Sequence, residues 1–505
     1  MGDRSKKSAI NTISALIMQI VIMVVGLILP RLYLEAYGSE INGLVTSITQ
    51  FISFFTLVEA GLSSAGINAL FKPLSENDTH KTNRVLKAIR NFYLYVGLIF
   101  TGLVFGLALL YPLFVSANGF NYIGLAVLVF VLGLSGVIDF FTLSKYRCLL
   151  TADERYYVVA NATTISYIVN LIIVAAAVKL NLPITIVRVL ALTLYVLRSV
   201  IINVYVSKKY KYVNFKVEAD NASLNKRWDA TILQVLALVQ NAMPIVLLTI
   251  FTSLNIVSVY SVYNLVASSI ISLLMVTTNG VSATFGKIIA SKDNEGLKGM
   301  FKLYETLFLT ATAIIYSCMM IMYIPFVKLY TAGITDVEYI YPLTALLFVI
   351  NGVTYNIKTP VGVLIGAAGV FKETKLATII QTGIALLLSL ILVPFFGING
   401  VLVGLIASNV YRDVDLIIFM SKNVTKIPYL ESFKRVFICI IILVISCLPL
   451  LKITIVAASF IEWVLYAVLA VVWSTVVAII VNVVLNRKEF IMLIRKVKNK
   501  IIKVK

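Results

Sequence analysis

Residues Pro30 to Arg90 read PRLYLEAYGSEINGLVTSITQFISFFTLVEAGLSSAGINALFKPLSENDTHKTNRVLKAIR, and this stretch decides the fold class. An apolar run ends at Pro30-Arg31, and a short turn from Tyr37 to Glu40 carries no Lys or Arg. A second run, Ile41 to Phe71, is broken by Asn42, Gln50, Glu59 and the small-residue patch Gly61 to Gly66. A basic polar segment follows, with Lys72, Lys81, Arg84, Lys87 and Arg90. Two long apolar spans, one with a charge near its end and one with a charge inside, are not a soluble hairpin. They read as two membrane helices that face a wet interior.

Composition extends that reading to the whole chain. The 505 residues are 60% hydrophobic and 13% charged, with a mean hydropathy of +0.97. A globule must also cover its surface with polar groups, so this composition excludes a soluble protein and predicts a polytopic all-α membrane protein. The net charge of +20 would point to nucleic acid on a soluble chain. Here the basic residues cluster between spans, as membrane orientation requires, and no nucleic-acid partner is expected. Cys148, Cys318, Cys439 and Cys447 lie in apolar runs. Cys439 and Cys447 share one expected helix about 12 Å apart, too far to bridge.

Apolar runs recur near 10–34, 42–71, 92–115, 121–146, 156–179, 182–206, 229–252, 255–286, 300–324, 339–365, 374–394, 398–420, 433–452 and 460–485. That is about fourteen transmembrane helices. Lys and Arg fill every second connection, and the turns near 38, 118, 254 and 397 have none. The alternation predicts an even number of spans with both termini in the cytoplasm. The tail carries Phe490, Leu493, Ile494, Val497 and Ile501 among Lys and Arg, the pattern of a basic amphipathic helix on an anionic leaflet.

The chain also reads as duplicated. Gly61-Leu62-Ser63-Ser64-Ala65 resembles Gly280-Val281-Ser282-Ala283-Thr284, Lys145 matches Lys358, and Arg198 matches Arg412. The expected organisation is a six-helix bundle over 1–207, a cytoplasmic linker over 208–228 and a second six-helix bundle over 229–421. Two additional helices over 422–485 and a basic amphipathic tail over 486–505 complete it. The two bundles would be related by a pseudo-two-fold axis along the membrane normal.

Charges at span depth are costly, about 2.5–3.5 kcal/mol each on insertion scales, so they mark function or pairing. The candidate anion-binding cations are Arg31, Lys145, Arg198, Lys358 and Arg412, because convergent cations suit a phosphate or pyrophosphate. Glu59, Asp139 and Asp415 are candidates for coupling or gating, or for partnering a cavity Arg; Arg412 could instead pair with Asp415 one turn on. Gln240, Asn241 and Asn264 could bond sugar hydroxyls or act as interhelical glue. No GxxxxGK[ST], HExxH or CxxC is present, so no catalytic set, metal site or cofactor is expected, and the chain is read as a transporter rather than an enzyme.

Taken together, Pro30-Arg31, Gly38 to Leu44, Glu59 to Ala65 and Phe71 to Ser75 resemble the Wzx-type polysaccharide flippases of the MOP exporter superfamily. That superfamily also holds lipid II flippases and MATE multidrug antiporters. The resemblance implies two six-helix bundles around a cavity with alternating access in a bacterial cytoplasmic membrane. It implies as cargo a polyprenyl-diphosphate-linked oligosaccharide, flipped outward for capsule or exopolysaccharide synthesis, with membrane lipids, a polysaccharide polymerase and glycosyltransferases as partners. Outward movement of an anion is favoured by the membrane potential; coupling to H+ or Na+ could add to it. Lipid II transport, cation-coupled drug antiport and a membrane-embedded transferase are the alternatives. The short outer turns and the repeated basic residues weigh against the last two.

Overall fold

The computed structural model describes residues 3–59, 62–224, 228–451 and 455–487. The expected tail helix over 486–505 therefore lies almost wholly outside the described residues, as does Gly61 of the duplicated motif.

The described residues are mostly helical and include no β-strand, and helices occupy all fourteen expected spans. The first two spans are α1 (Asp3–Phe55), which carries a break, and α2 (Leu62–Ser75). Then follow α3 (Thr79–Phe114), α4 (Tyr122–Ile138), α5 (Ser144–Ala152), α6 (Tyr156–Lys179), α7 (Ile184–Ala191) and α8 (Thr193–Lys209). The next are α9 (Trp228–Phe251), α10 (Leu254–Ala290), α11 (Asn294–Tyr330), α12 (Pro342–Ile357) and α13 (Thr359–Ala368). The last are α14 (Phe371–Phe396), α15 (Ile398–Met420), α16 (Tyr429–Cys447) and α17 (Phe460–Leu485). Helix is the required answer for single spans in lipid, where every backbone polar group must be satisfied internally. Polar caps start several of them where the chain leaves a turn. Asp78 accepts from Lys81 N, Asn121 from Gly124 N, Asp293 from Gly296 N and Ser459 from Glu462 N. Large apolar side chains such as Leu98, Phe105, Ile172, Leu387, Ile391 and Leu465 stand exposed along the helices. Among the described residues ten helical stretches are long and apolar enough to cross a bilayer, and the first of them runs through two spans. The chain is a multi-pass membrane protein.

Several spans are interrupted. In α1 the break falls at Gly38, with φ 78° and ψ 177°, whereas Pro30 stays within the helix. That backbone is open to glycine and strained for other residues, so the composition of the turn fixes the break. Five residues on, Gly43 lets α1 meet the start of α10, since a Cβ there would lie 1.8 Å from the Leu254 carbonyl oxygen. The fourth span passes from α4 through a π-helical turn, Asp139–Leu143, into α5. The tenth breaks at Lys358 between α12 and α13. Lys145 and Lys358 thus stand at or just past an interruption in the fourth span of each expected half.

The chain forms two compact units, 1–258 and 259–505. In the first, α1 packs on α6 and α9, α3 on α4, α2 on α5, and α6 on α8. Its core joins Leu44, Ile48, Leu86, Tyr93, Phe100, Leu128, Phe140 and Leu149. Two ends are distinct. At one, Asn11 bonds the Glu154 carbonyl at 2.9 Å and the Tyr157 N–H at 2.8 Å. The 208–224 segment folds onto the same basic end: Asn83 donates to the Tyr212 carbonyl at 2.9 Å, and Arg90 and Lys145 both lie over the Phe215 ring. There Asp220 accepts from the Ser223 hydroxyl at 2.7 Å, which holds its carboxyl below the ordinary range. At the other end Tyr37 donates to the Leu182 carbonyl at 2.6 Å, and Glu40 meets Asn118.

In the second unit, α14 packs on α15, α12 on α15, and α11 on α12, α16 and α17. The two additional helices are therefore anchored through α11. Trp463 donates to the Met322 carbonyl at 3.1 Å, and Arg435 pairs with Glu305 at 2.6 Å.

Candidate functional site

The first unit holds a chain of charges among apolar helices. The π-helical turn places Asp139 toward α8, where Arg198 donates to it at 2.5 Å. Arg147, on α5, stands 3.9 Å from the other Asp139 oxygen and 2.8 Å from Glu59. Glu59 closes a short turn after α1 and also accepts from the Tyr93 hydroxyl at 2.7 Å. The order Tyr93, Glu59, Arg147, Asp139, Arg198 alternates donor and acceptor across five separate segments. All four charged side chains are between 15% and 29% exposed, so the network is partly buried. In low-dielectric surroundings such alternation is what allows four charges to coexist.

The sequence marked Glu59, Asp139 and Arg198, and the structure brings them together. It did not mark Arg147, which lies so near the span end that a headgroup contact accounts for it equally well. Lys145, two residues earlier, turns to another face and lies 4.9 Å from the Tyr146 ring centroid and 5.7 Å from that of Phe215. Among the described residues no carboxylate pairs with Lys145.

Arg31 is bound locally. Its Nε and Nη2 reach one oxygen of Glu35, one turn on, at 2.7 and 2.6 Å. Gln240 is half-buried and Asn241 exposed on α9.

The second unit has its own polar set. Lys358 donates to the Asn409 amide oxygen at 2.6 Å, and Gln381 reaches the same oxygen at 3.3 Å. Asn409 in turn donates to Asn351 at 3.1 Å. Arg412, 5% exposed, holds Asp415 at 2.6 Å and donates to the Thr378 hydroxyl at 2.9 Å, so the i,i+3 pairing is present. Asp413 is buried beside them with an Oδ1 that has no hydrogen-bond partner. Asn264 is half-buried on α10. Among the described residues neither Asn241 nor Asn264 makes a side-chain hydrogen bond, and no His, Cys, Asp and Glu group could hold a metal ion.

An apolar groove of about 490 Å³ runs along α11, α12 and α16. Met320, Leu346, Val353, Ile440, Val444 and Leu448 line it.

No family model and no curated protein matches the sequence. Solved structures do. The chain is similar to the lipid II flippase MurJ in an inward closed conformation, at 15% identity and a TM-score of 0.68, over 95% of this chain and 99% of that one. It is similar to a MATE family multidrug resistance transporter of the MOP superfamily, inward-facing, at 15% identity and a TM-score of 0.62, over 85% of this chain and 98% of that one. A MATE protein in a bent conformation matches at 15% identity and a TM-score of 0.57, over 88% of this chain and 98% of that one. The chain has the fold these transporters share.

Proposed function

We propose that this chain is a flippase that moves a polyprenyl-diphosphate-linked oligosaccharide from the inner to the outer leaflet of a bacterial cytoplasmic membrane. The observation that carries the reading is how far the fold likeness extends. The lipid II flippase is matched over 95% of this chain, the MATE proteins over 85–88%. The MATE proteins leave about 12–15% of this chain unmatched, which favours the lipid-linked cargo over a drug. The apolar groove beside α16 suits an isoprenoid tail, which needs only dispersion and burial.

The cations then divide by their partners. Lys145 rests on aromatic rings, so a diphosphate can engage it without first displacing a carboxylate, whereas Lys358 donates to a neutral amide and also feels the charge of the buried Asp413. Arg31, Arg198 and Arg412 are each neutralised by Glu35, Asp139 and Asp415. For these, phosphate binding means an exchange of one anion for another, which ties cargo arrival to release of a carboxylate. Such an exchange gives Asp139 or Asp415 a moment at which to take up H+ or Na+, with Glu59 as the third candidate. The membrane potential acts in the same direction, by about 2.3 kcal/mol per charge per 100 mV. The products serve a capsule or exopolysaccharide pathway with its polymerase and glycosyltransferases.

A second cargo, lipid II, is favoured by the extent of the match to a lipid II flippase. The test is reconstitution of the full chain into liposomes with a fluorescent polyprenyl-diphosphate oligosaccharide or with fluorescent lipid II. Accessibility to a membrane-impermeant quencher reports flipping. Faster loss of protection for the oligosaccharide supports the first reading, faster loss for lipid II the second, and neither supports no flippase.

A further inference from the structure

At the end of the first unit remote from its basic loops, three turns enclose a polar pocket of about 350 Å³. Glu40 comes from just past the Gly38 break, Phe114 to Asn118 from the end of α3 and its turn, and Thr249 to Asn255 from the α9–α10 turn. We propose that this pocket binds neutral sugar rings of the cargo on the side where it arrives, an assignment that rests on the flippase reading.

The chemistry of the lining selects the ligand. The lining holds no Lys or Arg, so the pocket offers nothing to a diphosphate. It is rich in hydrogen-bond acceptors instead. Glu40 is held by Asn118 through two bonds, from its backbone N–H at 3.0 Å and its side-chain amide at 2.7 Å, one to each oxygen. Each carboxylate oxygen keeps acceptor capacity, and so does the Asn118 Oδ1. Asn255 Oδ1 sits in the wall as a buried acceptor with no partner. The Thr252 and Ser253 oxygens add further lone pairs. Acceptors in excess call for a ligand that brings O–H donors.

A metal ion is the other ligand such a surface could take. Hard cations demand several oxygens with more than one carboxylate in tight sites, and Glu40 is the single carboxylate lining the pocket. The apolar contribution points the same way. Phe114 lines the pocket and is 84% exposed, an aromatic face free to stack on the C–H face of a pyranose. The volume falls at the low end of small-molecule sites, room for about one or two rings.

The pocket is also built on a firm floor. Thr249 donates to Ser47 at 2.8 Å, Tyr111 donates to the same hydroxyl at 2.8 Å, and Asn42 donates to Ser258 at 2.8 Å. These buried bonds tie α1, α3, α9 and α10 together beneath the lining, so the acceptors are pre-organised rather than recruited by the ligand.

The experiment uses the full chain in nanodiscs and saturation-transfer NMR with lactose, cellobiose and chitobiose at millimolar concentration. At least one of these neutral disaccharides should show transfer. Ser116→Trp, which fills the mouth from an exposed position, and Asn118→Ala, which removes the Oδ1 acceptor and one of the two bonds that hold Glu40, should each reduce that transfer at least five-fold while thermal stability is retained. No transfer from any of the three with the unaltered chain, or transfer unaffected by both substitutions, overturns the proposal. Free disaccharides carry no lipid, so binding is read independently of flipping. Binding without flipping would fault the flippase reading and leave the pocket, and flipping without binding would fault the pocket alone.

Discussion

Arg435 Nη1 lies 2.6 Å from Glu305 Oε2, and each side chain is only 3% exposed. Ser432 donates to the same oxygen at 3.0 Å, and Glu431 links Arg435 to Lys302 through contacts of 3.3 and 2.6 Å. This pair fastens α16 to α11. Removing one member of a buried pair leaves an uncompensated charge, at a cost of about 3–5 kcal/mol. Glu305→Ala should therefore lower the melting temperature in detergent sharply. The double variant Glu305→Leu with Arg435→Met should recover most of the loss, because it removes both buried charges together. A single variant that melts like the unaltered chain contradicts the assignment.

The Asp139–Arg198 pair is more open, and a smaller effect is expected. A hydrogen bond between charged groups contributes about 1.5–3 kcal/mol. Asp139→Asn and Arg198→Gln should each destabilise by an amount in that range, and the double variant by less than their sum. A double-mutant cycle with no coupling energy would show that the two side chains act independently.

Arg31 tests the anion-exchange idea. A guanidinium can grip a diphosphate through two donors, and an ammonium cannot copy that fork. Arg31→Lys should lose about ten-fold or more in flipping rate, and Arg31→Ala nearly all of it, at normal membrane level. Glu35→Gln should instead tighten cargo binding, since the competing carboxylate is gone. Full activity of a well-expressed Arg31→Ala would remove this residue from the site.

Topology is tested by cysteine labelling in a cysteine-free background. Thr335→Cys, on an exposed turn after α11, should react with an impermeant reagent applied outside, and Ser75→Cys should not. Ser39 belongs to an outer turn by sequence, yet it is completely buried, so a probe there would report packing instead of sidedness. The reverse labelling pattern would invert the orientation.

The spans were legible because apolar runs of membrane length carry few competing interpretations. Interruptions were less so. Gly38 advertises a turn, but nothing in Asp139 to Leu143 distinguishes a π-helical turn from an α-helical one. The cations were legible as costly residues, and their partners only in part. Arg412 and Asp415 lie three apart, a spacing visible on the page. Glu59 comes from the second span and Asp139 and Arg147 from the fourth, and no local spacing reports which face of one helix meets which face of another. The outer pocket was invisible for the same reason, since its lining joins turns far apart in the chain, Glu40 and Asn118 being 78 residues apart.

The π-helical turn in the fourth span has a consequence for rotational phase. A π turn holds one residue more than an α turn, which offsets everything after it by about 100° around the axis. Lys145 and Arg147 therefore face where they do because of a single added residue, and not because of the side chains that surround them. Loss of one residue between Phe140 and Leu143 would swing both cations off their partners at once, while leaving the composition of the span almost unchanged. In this helix, length is a stricter constraint than identity.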